Sequence, residues 1–282
     1  MISAGSSPLL IGWDVGAWNC DKNPSSLDAL VVLDSQRKLM GKPWCGSLRR
    51  MINQSAYTDD FLRRLLGLCG LEGHDQSVPV VLAIDTPLGF SQEFIDLLVN
   101  GHAADTIDRS SDNPYLFRRT ERLLFERGLS PLSALKDMIG SQATKGMHVL
   151  ARFAPQVETC GVWTDGARLR AVEAYPRACK RSATMAKLNQ EFGIGGQAGG
   201  GLPEGFQHGD QLDALTCALI AWLFHFQPSQ LLQPPPDPTE GGLDFCFSRC
   251  LRHPNLPLNI PALSSKAAMC NPRQVFIGLP AA

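Results

Sequence analysis

The sequence predicts an α/β fold built on one mixed sheet, with an antiparallel three-strand start, parallel strands after it, and helices on both faces. Three observations carry this expectation. Apolar runs of strand length recur at 9–14, 27–34, 38–44, 78–85 and 169–173. A helical pattern, with Phe61, Leu62, Leu65, Leu66 and Leu68 in register, stands between the third run and the fourth. Three of the runs end in an acid: Asp14, Asp85 and Glu173. Acidic side chains are seldom buried unless they are paired or hold a metal, so three of them at strand ends ask for a common cause.

Composition narrows the class. The chain has 282 residues, of which 44% are hydrophobic and 19% charged, enough for one large domain or one and a half. Lysine and arginine number 26 against 27 acids, a net charge of −1. A protein living on bulk duplex electrostatics is usually far more basic, so any nucleic-acid contact has to be local. No apolar run approaches the roughly 18 residues of a membrane span, and no basic segment precedes an apolar leader. The expectation is a cytoplasmic protein without a membrane partner. Nine scattered cysteines are an odd count, which favours free thiols over a disulfide framework.

Each element follows in order. Leu9-Leu10-Ile11-Gly12-Trp13-Asp14 is an apolar strand, and Ala17 to Pro24 a turn-rich loop. Residues 27–34 and 38–44 complete the antiparallel start. Thr58 is a suitable N-cap, with Asp59 and Asp60 in the first turn. The strand at 78–85 breaks at Pro87. Residues 88–155 read as a mainly helical insertion, with Ser91 capping one helix and amphipathic patterns over 115–127 and 131–153, Pro131 sitting in a first turn. After the strand ending at Glu173, residues 193–205 are glycine-rich. They lead into an apolar helix from His208 whose acids, Asp210 and Asp213, lie in its first turn. Residues 1–226 form the predicted domain, and 227–282 a proline-rich linker and a C-terminal tail.

Asp210 and Asp213 are three apart and share a helix face, and a helix N-terminus stabilises negative charge. In an open sheet, strand ends line the functional crevice. A cluster of Asp14, Asp85, Glu173, Asp213 and Asp210 repels itself, and cations relieve that repulsion. Oxygen-only ligands suit Mg²⁺ or Mn²⁺, and two such ions about 4 Å apart support phosphodiester hydrolysis.

Taken together, the strand and helix order and the acid positions resemble the ribonuclease H-like fold. Asp210-Gln-Leu-Asp213-Ala-Leu resembles the two-acid helix of Holliday-junction resolvases of that fold. Gly12-Trp13-Asp14, Ile84-Asp85-Thr86-Pro87-Leu88-Gly89, Glu173-Ala174-Tyr175-Pro176 and the Asp213-Ala-Leu helix resemble the predicted nucleases called domain of unknown function 429. The likeness spans roughly residues 9–226. It implies a divalent-metal nuclease site, with Asp14, Asp85, Glu173 and Asp213 as metal ligands and Asp210 as a further catalytic acid. The acid that ribonuclease H carries on its first helix has no clear counterpart, since Asp59 and Asp60 lie at that helix's start and Glu72 beyond its end.

Arg118, Arg119, Arg122 and Lys136 are the candidate substrate-binding residues, since guanidinium forks match phosphate oxygens; Arg127 and Lys145 extend the same patch. A solvated helix face with Glu121 and Glu126 as partners explains the same residues without a ligand. Arg177, Lys180 and Arg181 follow Glu173 and carry the same ambiguity. Cys246, Cys250, His253 and Cys270 fit no standard zinc spacing, and Cys179 has no obvious histidine partner. His208 is the histidine nearest the acidic helix and a candidate for proton transfer.

Nucleic acid and small phosphodiesters are therefore the candidate substrates. Two other classes stand beside the nuclease. One is a non-catalytic module, binding nucleic acid or protein, that keeps the fold. The other is an actin-like or sugar-kinase phosphotransferase, which Asp14-Val15-Gly16 fits but for which a second domain copy is lacking.

Overall fold

A computed structural model describes residues 7–22, 26–159, 161–179, 182–192 and 202–231. The chain opens with β1 (Leu9–Asp14), β2 (Asp28–Leu33) and β3 (Leu39–Gly46), followed by α1 (Arg49–Gln54), α2 (Thr58–Leu68) and β4 (Val80–Asp85). The insertion contributes α3 (Gln92–Asn100), α4 (Arg119–Glu126) and α5 (Gly140–Phe153). Then come β5 (Gln156–Thr159), β6 (Val162–Thr164), β7 (Leu169–Glu173), α6 (Pro176–Cys179), α7 (Ala183–Gln190) and α8 (Asp210–Phe226). One seven-stranded sheet runs β3-β2-β1-β4-β7-β6-β5. Strands β1, β4 and β7 are parallel, and β2, β3, β5 and β6 pair antiparallel on either side of them. The topology is that of a ribonuclease H-like α/β sheet, with helices on both faces.

Alternation along the strands splits the core. Leu10, Ala29, Val31, Leu33, Val81, Ala83 and Val172 face α8 and its buried Leu215, Ala218 and Leu219. Leu9, Ile11, Trp13, Leu30, Val32, Leu82 and Ile84 face Phe61, Leu62 and Leu65 of α2 and Val149, Leu150 and Phe153 of α5. Burial on both sides is why β1, β2 and β4 read as continuous apolar runs rather than as alternating ones. Phe61 stacks on Phe153 with ring centroids 4.4 Å apart, which locks α2 to α5.

Gly12 sets the height of α8. A Cβ at this position would lie 1.9 Å from the Ala214 carbonyl oxygen and 2.4 Å from the Ala218 nitrogen. The helix backbone therefore rests directly on β1, and its first turn is carried over the end of that strand.

Several local expectations are corrected. Thr58 is the first helical residue rather than the cap, and its hydroxyl donates to the Phe153 carbonyl at 2.9 Å. Ser91 does cap α3, accepting from the Phe94 N–H. The long pattern over 115–127 yields only the eight residues of α4, because the Asn113 side chain takes the N–H groups of Tyr115 and Leu116 and holds them in a turn. Similarly, Pro131 does not start a helix. The Ser133 hydroxyl accepts from Leu135 and Lys136, Met138 adopts φ 60°, and α5 begins only at Gly140. The β5–β6 hairpin was not foreseen, and every residue of β5 is exposed. Lys180, Arg181, residues 193–201 and the tail with Cys246, Cys250, His253 and Cys270 lie outside the described residues. Among those described, no helix is long and apolar enough to cross a membrane.

Candidate metal centre

Strand register assembles the site. Asp14 at the end of β1 lies opposite Asp85 at the end of β4. On its other side Asp14 lies opposite Ala29 of β2, which lies opposite Cys45 of β3. Residues paired across strands share a face, so Cys45, Ala29, Asp14 and Asp85 form a row on the α8 side of the sheet. The close seat of α8 at Gly12 brings Asp210 and Asp213 to the same row.

The electrostatics report this convergence. The Asp14 carboxyl is held well above the usual carboxylate range, first by burial and then by the charges of Asp85, Asp210, Asp213 and Asp28. Burial also pushes the Cys45 thiol up to about 11, with Asp210, Asp14 and Asp28 adding to it. Anions clustered in this way favour a cation among them.

Glu173 departs from the expected set. It lies opposite Ile84, one residue before Asp85, and so projects to the α5 side. Its carboxylate accepts Nη1 and Nη2 of Arg118 at 2.9 and 2.8 Å and the Leu88 N–H at 2.7 Å. It is 2% exposed. Arg118 differs from expectation for the same reason. Only 3% exposed, it is shared between Glu173 and Glu121, whose side chain closes a capping box on α4. Burial works against the charged guanidinium, but the Glu121 and Glu173 carboxylates together outweigh it and hold the group well above its usual range, so it stays charged.

The other basic candidates scatter. Arg122 lies 3.7 Å from Glu93, and Lys136 is exposed and pairs with Asp137 at 2.8 Å. Arg119 is partly exposed on α4 and Arg127 caps that helix's end. Lys145 is not a surface cation. It is fully buried and bonds Asp28 at 2.5 Å and the Gly16 and Ala17 carbonyls at 3.0 and 3.2 Å. Asp28, also fully buried, accepts from Trp13 Nε1, the N–H groups of Gly16 and Leu48, and Cys20 Sγ. This pair pins the loop that leaves β1 immediately after Asp14. Of the first-helix acids, Asp60 is taken up by Arg63 and Arg64, and Asp59 by Arg168.

Beside the acids lies a cavity of about 200 Å³, bordered by Asp14, Asp85, Arg118, Glu173, Ile139 and Tyr175. It is the joint product of the strand ends and the insertion.

Comparisons with family models, curated proteins and solved structures find no match. The site is accordingly read from its own chemistry. One cluster there was missed by sequence reasoning: Cys45, His208 and Asp210 bring a thiol, an imidazole and a carboxylate within 4.8 Å of one another, a set able to coordinate a metal ion. His208 had been singled out only for proton transfer. Cys45 sits in β3 with no motif around it, and no spacing rule joins it to residue 208.

Proposed function

We propose that the protein is a phosphodiester hydrolase, the activity that the resemblance to domain of unknown function 429 implies, and that it works with Mg²⁺ or Mn²⁺ held by Asp14, Asp85, Asp213 and, in place of the expected Glu173, Asp210. The observation that carries this reading is the raised Asp14 carboxyl, surrounded by other acids at the ends of parallel strands. The donor set is oxygen-rich, which fits a hard divalent cation. When bound, such a cation offsets the acids' mutual repulsion and supplies an activated water and Lewis-acid stabilisation of a leaving oxygen.

The chain's own residues do the rest. Asp14 and Asp85 offer ligand oxygens from a rigid sheet, and α8 brings Asp213 and Asp210 over them. Lys145 and Asp28 fix the backbone after Asp14. Arg118, held by Glu173 and Glu121, forms part of the cavity wall, where the two carboxylates that hold it offset its charge. Glu173 acts in this reading as the residue that positions Arg118.

The test uses labelled single-stranded, duplex and branched polynucleotides and a small chromogenic phosphodiester, each with Mg²⁺ or Mn²⁺. Wild type is expected to cleave at least one of them, and Asp14→Asn to lose roughly 100-fold or more, the scale of several kcal/mol of transition-state charge stabilisation. Binding of a polynucleotide with no cleavage by wild type would contradict hydrolysis and favour the non-catalytic module. A phosphotransferase of the actin-like class has less support, since the described residues form one sheet rather than two.

A further inference from the structure

We propose that Cys45, His208 and Asp210 form a binding site for a Zn²⁺-class transition-metal ion, which shares Asp210 with the oxygen-ligand site centred on Asp14 but differs from it in its other ligands. The donors differ in kind. Sulfur, nitrogen and oxygen together suit Zn²⁺ or Co²⁺, whereas Mg²⁺ and Mn²⁺ prefer oxygen alone. They also come from three segments: β3, the loop before α8, and the first residue of α8.

Their meeting is organised by groups around them. Gln211, 2% exposed, accepts the N–H groups of Gln207 and His208 at 2.6 and 3.0 Å through Oε1. Its Nε2 donates to the Pro43 carbonyl at 3.1 Å, tying the His208 loop to the strand that carries Cys45. Asp210 Oδ2 accepts the Leu27 N–H at 3.0 Å and lies 3.3 Å from His208 Nδ1. Oriented ligands of this sort are what a metal site's surroundings normally supply.

Ala29 stands between Asp14 and Cys45 in the cross-strand row, so the backbones that carry these two ligands are two strand spacings, about 10 Å, apart. Ligand atoms around a tetrahedral ion lie about 3.5 Å apart, as the usual bond lengths require, and His208 Nδ1 and Asp210 Oδ2 already stand 3.3 Å apart. Solvent reaches it: the His208 and Asp210 side chains are 34% and 22% exposed. Three protein ligands leave a fourth position open, the pattern of exchangeable rather than closed structural sites. Asp210 is common to both centres, so filling one alters the ligands of the other.

The experiment uses the full chain, reduced and stripped of metal, with Cys246, Cys250 and Cys270 replaced by serine so that tail thiols give no signal. Co²⁺ is added and followed by absorbance, and Zn²⁺ by competition. The expected result is one equivalent bound, with a thiolate-to-cobalt charge-transfer band. Cys45→Ser abolishes the band, His208→Ala weakens Zn²⁺ affinity at least 10-fold, and Gln211→Ala weakens it by roughly 10-fold, as for other metal-site supporting residues. Asp14→Asn keeps the band, and Cys45→Ser keeps Mn²⁺ binding, so the outcome stands apart from that of the hydrolase reading. A parent protein without the band, or a band that survives both Cys45→Ser and His208→Ala, overturns the proposal.

Discussion

The two faces of the sheet treat acidic residues in opposite ways. On the α5 side, Asp28 and Glu173 are buried and each is matched by a cation, Lys145 and Arg118, with backbone N–H groups completing the shells. On the α8 side, Asp14 is surrounded by further carboxylates and its own carboxyl is pushed up. Acids with built-in counter-charges are structural, because their energetics close within the chain. An acid whose neighbours are acids leaves an electrostatic demand that something outside the chain can meet. Sequence alone presents Asp14, Asp85 and Glu173 as equivalents; the face each one points to separates them.

The comparison breaks most visibly on the matched face. Lys145→Met leaves Asp28 buried without its counter-ion and is expected to cost about 3–5 kcal/mol, as removal of one partner from a buried pair does; denaturant unfolding measures it. Adding Asp28→Asn to that variant should recover part of the loss, since the charge left stranded is then gone. Replacing Gly12 with alanine comes next. Its Cβ has no room against the Ala214 carbonyl, so α8 must lift from β1 at a cost of about 1–3 kcal/mol. The same lift moves Asp210 and Asp213 off the row, and Mn²⁺ affinity should fall with stability.

At Asp14 the sign reverses. Asp14 has a folded-state pKa above its unfolded value, so its contribution to stability is fully present below the unfolded pKa and is lost as pH rises through the raised one. In chelator at neutral pH, Asp14→Asn should therefore raise Tm by about 2–4 °C, what 1 kcal/mol does to a domain of this size. The gain should shrink towards acid pH, where wild-type Asp14 is protonated. Excess Mn²⁺ should also reverse the order, since wild type binds it more tightly and gains more from it. The smallest effect belongs to Lys136→Ala. Its exposed pair with Asp137 is worth no more than about 0.5 kcal/mol, within the range of ordinary surface substitutions.

The antiparallel start with parallel strands after it, the acidic ends of β1 and β4 and the first-turn acids of α8 are legible in the sequence, because doubly buried strands and an apolar helix leave strong local patterns. What was illegible depends on register or on distant partners. Glu173 ends its strand as Asp85 does, yet pairs one position earlier and so points the other way. Lys145 looked like a surface cation on an amphipathic helix, and its partner lies 117 residues away. Cys45 and His208 meet only because Gln211 fastens the loop before α8 to β3. The insertion was overread as helix because hydrophobic spacing does not register the side-chain hydrogen bonds of Asn113 and Ser133 that hold turns there.

Cation binding by the acids around Asp14 is tested most directly by calorimetric titration of Mn²⁺ into metal-free wild type and Asp14→Asn. Saturable binding by wild type, weakened at least about 10-fold in Asp14→Asn while Glu173→Gln retains it, is the expected result. Equal binding by wild type and Asp14→Asn, or none by either, would contradict it.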